Sequence, residues 1–101
     1  MADTITKAAF QATIGTSYRV LLSADIAAEL NLIQVRELSS APGYETFALD
    51  FRGSLESRME QGTYAMEQES IGKLDVFIVP VGADDKSFYY EAVFNRRVNQ
   101  E

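Results

Sequence analysis

The stretch Phe47-Ala48-Leu49-Asp50-Phe51-Arg52 decides how the rest of the chain is read. Phe47, Leu49 and Phe51 fall on one side of an extended backbone; Thr46, Asp50 and Arg52 fall on the other. A period of two puts one set against a core and the other in water, as in a half-buried β-strand. Just before it, Ser39-Ser40-Ala41-Pro42-Gly43 reads as a turn, because Pro fixes one φ and Gly accepts a positive one. Just after it, Gly53 to Gln61 is a polar loop in which Leu55 and Met59, four apart, predict one helical turn.

Toward the N-terminus, a second strand spans 29–38, with Leu30 and Leu32 on one face and Ile33 and Val35 on the other. That change of face in mid-strand predicts a bulge. Ser23 to Ala28 fits either one helical turn or a hairpin connection, and the hairpin is preferred. A first strand near 16–22 alternates Tyr18, Val20 and Leu22 with Arg19 and Leu21. Residues 3–14 read as a short helix capped by Asp3 or Thr4 and stopped by Gly15, with Ile5, Ala8, Ala9 and Ala12 on one face. Phe10 and Ile14 form an adjoining apolar pair, and a helix this short must dock on something to persist.

Toward the C-terminus, a fourth strand at 62–69 carries Tyr64 and Met66 on one face and Thr63, Glu67 and Glu69 on the other. The fifth, 74–81, is apolar on both faces, which predicts a central strand covered on both sides. Pro80 cannot donate to a ladder and marks a strand end or bulge. Gly82 to Lys86 is a hairpin loop. The sixth strand, 87–95, sets Phe88, Tyr90, Ala92 and Phe94 against Tyr89, Glu91, Val93 and Asn95, and 96–101 reads as a frayed tail. The connections are too short for helical crossovers, so neighbouring strands pair antiparallel. The expected fold is one domain, 1–101, mainly β: a six-stranded twisted antiparallel meander or partly open barrel, with the N-terminal helix covering an open end.

The 101 residues bury about 65% of their surface on folding, enough for one core without staples. Fifteen acidic and nine basic residues give a net charge of −6, which repels phosphate backbones and argues against nucleic acid as a partner. Met1 to Lys7 lacks the pattern of a signal peptide, and no apolar run is long enough to span a membrane as a helix. Together with the absence of cysteine, this leads to an expected cytoplasmic location; export as part of an assembly stays open.

Reactive groups are scarce. Without histidine or cysteine, imidazole and thiolate catalysis and zinc–thiolate sites are impossible, and the single, scattered glycines form no phosphate cradle. A Ser-Lys dyad is conceivable, but Lys7, Lys73 and Lys86 all fall at surface or turn positions. Asp84-Asp85 lacks the ligand spacing of a calcium loop and reads as a solvated turn. Glu67 and Glu69 share a strand face that can meet Glu91 or Asp75 across the sheet, an acidic surface without a sugar-sized cleft. No cofactor, metal or catalytic residue is expected. The remaining signal is aromatic: Tyr89 lies opposite Phe88 and Tyr90, beside Val93 and Phe77 or Val79. These four, Phe77, Val79, Tyr89 and Val93, form either a patch for a partner chain or the seat of the N-terminal helix.

Four segments carry a resemblance to a known family: Phe47 to Gly53, Gln61 to Tyr64, Val76 to Gly82 and Tyr90 to Asn95, with Phe10 and Gly15. Together the chain resembles a small bacterial domain family of unknown function, sometimes associated with phage-tail-collar-like proteins. The family's motif near Gly53 continues with Pro, where this chain has Ser54, so that loop is expected to differ. The resemblance implies a compact β fold and no activity, cofactor or catalytic residue. The leading expectation is a non-enzymatic structural or interaction module that binds a protein partner or a second copy, using unpaired edges of the first or sixth strand. The alternative is a small-ligand carrier whose pocket is lined by Phe47, Phe51, Tyr64, Phe77 and Phe94.

Overall fold

The computed structural model describes residues 6–39 and 41–97, without the side chain of Arg96. In chain order the elements are α1 (Lys7–Gln11), β1 (Ser17–Leu21), β2 (Ala27–Leu38), β3 (Tyr44–Ser54), β4 (Gly62–Gln68), β5 (Gly72–Ala83) and β6 (Ser87–Arg97). The fold is mainly β, and all six ladders are antiparallel. They follow the order β1-β2-β3-β6-β5-β4 and return to β1, so the single sheet closes into a ring. The order is not sequential: β3 turns to β6, and the connection at 55–61 carries the chain past them to β4.

The ring corrects the expectation of free edges on the first and sixth strands. β1 is flanked by β2 and β4, and β6 by β3 and β5. Closure supplies backbone partners that an open sheet would leave unmade. Arg96 and Arg97 extend β6 opposite Glu45 and Tyr44, where a frayed tail was expected; 98–101 lie outside the described residues.

Inward positions fill the ring. Tyr18 and Val20 of β1, Leu30 and Leu32 of β2, and Phe47, Leu49 and Phe51 of β3 are fully buried. Met66, Val76, Ile78, Tyr90 and Ala92 close the far side. The change of face in β2 is a register shift between Leu32 and Gln34, and Pro80 sits at a second shift, between Pro80 and Gly82. At Gly53 a Cβ would stand 2.7 Å from Leu30 Cδ2 and 3.3 Å from Tyr90 Cε1, so the inner face has no room for a side chain there.

The two ends are stoppered differently. Thr6 caps α1 by accepting from the Ala9 N–H at 3.0 Å. The helix has five residues rather than the twelve of 3–14, and Asp3, Thr4 and Ile5 lie outside the described residues. It also buries a different face: Phe10 and Thr13 are inside, Ala8, Ala12 and Ile14 outside. The reason is reach. Phe10 alone extends to the rings of Phe47 and Phe94, with centroids 5.9 and 5.2 Å away. The Thr13 hydroxyl donates to the Phe10 carbonyl at 2.8 Å and lies 2.7 Å from the Tyr18 hydroxyl. Gly15, at φ 92°, then turns the chain into β1. At the opposite end the 55–61 loop forms no helical turn. Instead the Met59 N–H donates to the Tyr90 hydroxyl at 3.0 Å, and Met59 is buried among the core side chains.

Candidate functional site

The outward alternation of β5 and β6 places the four residues singled out by the sequence on one outer face. Val79 stands opposite Glu91 in the ladder, with Tyr89 and Val93 two residues to either side of Glu91 and Phe77 two residues before Val79. Phe77 is 51% exposed and Val93 55%, while Val79 and Tyr89 are half-buried. The expectation that the fifth strand is covered on both sides is therefore corrected: Val76 and Ile78 are buried and Phe77 is not. Among the described residues α1 packs against the end of the ring, not this face, so it does not serve as the cover.

Tyr89 is committed to its own hairpin. Its hydroxyl donates to Asp84 Oδ2 at 2.8 Å, while Asp84 Oδ1 accepts from the N–H groups of Lys86 and Ser87, both at 2.8 Å. These bonds, the Lys86 N–H first, hold the Asp84 carboxyl below its usual value. Donation to that carboxylate in turn raises the Tyr89 phenol. The Asp84-Asp85 turn is thus organised by backbone capping.

A charged cluster borders the apolar residues. Arg36 Nε donates to Asp50 Oδ2 at 2.7 Å and Nη2 to Oδ1 at 2.9 Å, a bidentate pair, and Nη2 also bonds Glu91. Asp50 and Glu91 face each other across the β3–β6 ladder. Two carboxylates so placed repel, and one guanidinium bridges both. The bond to Asp50, then that to Glu91, holds Arg36 protonated well above its ordinary range. Ala48, between Arg36 and Val93 in the register, is fully buried although it lies on the outer face. The sequence reading missed this cluster because it needs the β2–β3–β6 order, which no local spacing reveals.

A family model matches residues 5–94, and its description is a domain of unknown function, DUF6916. The chain belongs to the DUF6916 family. No curated protein and no solved structure matches it significantly. The match takes in α1 and β1 to β5 whole and reaches Phe94 of β6, so the outer face lies within the DUF6916 domain.

Elsewhere on the DUF6916 domain, the carboxylates do not gather as expected. Glu67 pairs with Arg19 at 3.4 Å and Lys73 at 3.8 Å, whereas Glu91 is held by Arg36. Arg19 stands between Glu29 and Glu67 in the register, giving a stripe of alternating charge over an open depression of ≈ 470 Å³. Ser17, Gln68, Glu69 and Gly72 complete its walls. Gln68 is spent on structure: Nε2 donates to Thr16 Oγ1 at 3.1 Å, and Oε1 accepts from the Ser70 and Ile71 N–H groups. Among the described residues no three side chains of metal-ligating type converge.

Proposed function

We propose that this DUF6916 domain is a non-enzymatic protein-interaction module that docks a partner chain, or a second copy, on the outer face of β5 and β6. The observation that carries the reading is the exposure of Phe77 and Val93, 51% and 55%, on strands whose inward residues already complete the core. Apolar side chains that the core does not use are candidates for burial by another chain. The bridged Arg36, Asp50 and Glu91 would supply a fixed polar margin beside them. A place as an accessory of a phage-tail-like or surface assembly rests on the family resemblance alone, and a cytoplasmic location, or export with the assembly, on the composition and the N-terminal pattern. The alternative, a small-ligand carrier, has less support: of the five aromatics expected to line its pocket, Phe47 and Phe51 are buried in the core, Tyr64 and Phe94 pack against it half-buried, and Phe77 faces out.

The test is affinity capture from the source organism with mass-spectrometric identification, run beside light scattering of the purified chain. Wild type should recover a specific chain or self-associate, and Phe77→Glu with Val93→Glu should lose that association. A strict monomer that recovers nothing the double variant fails to recover counts against the reading.

A further inference from the structure

We infer that the end of the ring opposite α1 is a second docking surface, built for a short basic segment of a partner chain that presents one large apolar side chain. Three strands carry their inward series a step past this end. Val20 of β1 is followed two residues on by Leu22, Ala28 of β2 is preceded by Ile26, and Gly53 of β3 is followed by Leu55. Val20 and Gly53 are buried and Ala28 is half-buried, but Leu22, Ile26 and Leu55 are 40%, 58% and 42% exposed. The Leu22 N–H donates to the Ile26 carbonyl at 2.9 Å, so these two stand side by side. Leu30 opposite Gly53 brings the start of β2 alongside the loop that holds Leu55. Met59 seals the interior behind them, so the core does not need these three side chains.

Charge selects the occupant. The loops at this end hold Asp25, Glu56, Glu60, Asp84 and Asp85 against only Arg58 and Lys86. Among the described residues Asp25, Glu56, Glu60 and Asp85 enter no ion pair. A second copy docked end to end would set two acidic rims together, whereas a basic segment would neutralise this one. The molecule's other end shows the same kind of closure made within the chain: α1 seats Phe10 on two rings, and Lys7 Nζ reaches Glu37 at 2.9 Å. This surface shares with the β5–β6 face only the 84–86 hairpin, where Tyr89 bonds Asp84, and the experiment below tells the two readings apart.

The probe is a short helix-forming peptide with a central Phe between lysines, titrated into the ¹⁵N-labelled full chain at low salt. Amide shifts should centre on residues 22–26 and 55–61. Affinity should fall at least about tenfold, or about 1.4 kcal/mol, when the peptide's lysines become glutamates. A similar loss is expected for Ile26→Ser with Leu55→Ser, and for Asp25→Lys with Glu56→Lys, a pair that leaves the apolar residues in place. Phe77→Ser should leave the titration unchanged. Shifts centred on Phe77 and Val93, equal binding of the lysine and glutamate peptides, self-association through this end, or no binding would each overturn the inference.

Discussion

Over Val76 to Val79 the two faces of β5 are both apolar and opposite in fate. Val76 and Ile78 are buried, while Phe77 is half exposed, and only the surroundings separate them. The inner face meets five other strands across a closed ring; among the described residues no helix or second sheet packs over the outer face. A residue's apolar character therefore says that it would gain from burial, not that this chain buries it. The comparison is tested most severely by truncating one residue from each face. Ile78→Ala should cost about 2–5 kcal/mol, the usual range for emptying a packed site, and Phe77→Ser under about 1 kcal/mol. Urea unfolding monitored by tyrosine fluorescence reads both. Equal losses would mean that the outer face is covered after all.

The inner face can also be stressed by adding volume. Gly53→Ala would put a methyl 2.7 Å from Leu30 Cδ2, closer than real contacts allow, and Tyr90 stands behind. Overpacking of this kind typically costs about 1–3 kcal/mol. Leu30→Val in the same chain should recover part of it, because the crowding atom is removed. If Gly53→Ala proves neutral, the interior is less tightly filled than its burial indicates, and the carrier reading gains ground.

Much of the fold could be read from single residues and their neighbours. The alternation at Phe47, Leu49 and Phe51, the change of face in β2 and the ladder-breaking Pro80 all act over a few positions, and each appears where the sequence placed it. What depended on distant pairing did not show. Nothing local says that β3 bonds to β6 and skips β4, so the Arg36–Asp50–Glu91 bridge and the fate of the β1 and β6 edges were out of reach. The helix failed for a related reason. Alanines at helical spacing suggested a buried stripe, but the pocket between Phe47 and Phe94 accepts one aromatic, and Phe10 decides which side of α1 goes in. For the candidate site, Phe77, Val79, Tyr89 and Val93 were placed on one face by parity alone, while the hydrogen bond that restrains Tyr89 needed the hairpin's geometry.

That hydrogen bond gives the smallest effect, and the one that best separates Tyr89 from its exposed neighbours. Asp84 is held below its ordinary value of 3.8 by the Lys86 N–H, the Tyr89 hydroxyl and the Ser87 N–H, in that order. A carboxyl lowered in the folded state contributes stability above its unfolded value and loses it as pH falls through the folded one. Asp84 therefore adds an acid-labile increment that begins to fade as pH falls below about 3.8 and is lost as pH passes through the lower folded value, and Asp84→Asn should flatten that part of the unfolding profile. Tyr89→Phe removes one of the three donors and should move the Asp84 titration upward without reaching its ordinary value, since both backbone donors remain. A carbon-detected NMR titration of the Asp84 carboxyl measures this directly. An unchanged titration would mean that the phenol swings free of the hairpin, which would place Tyr89 beside Phe77 and Val93 as an adaptable contact for a partner rather than a fixed part of the scaffold.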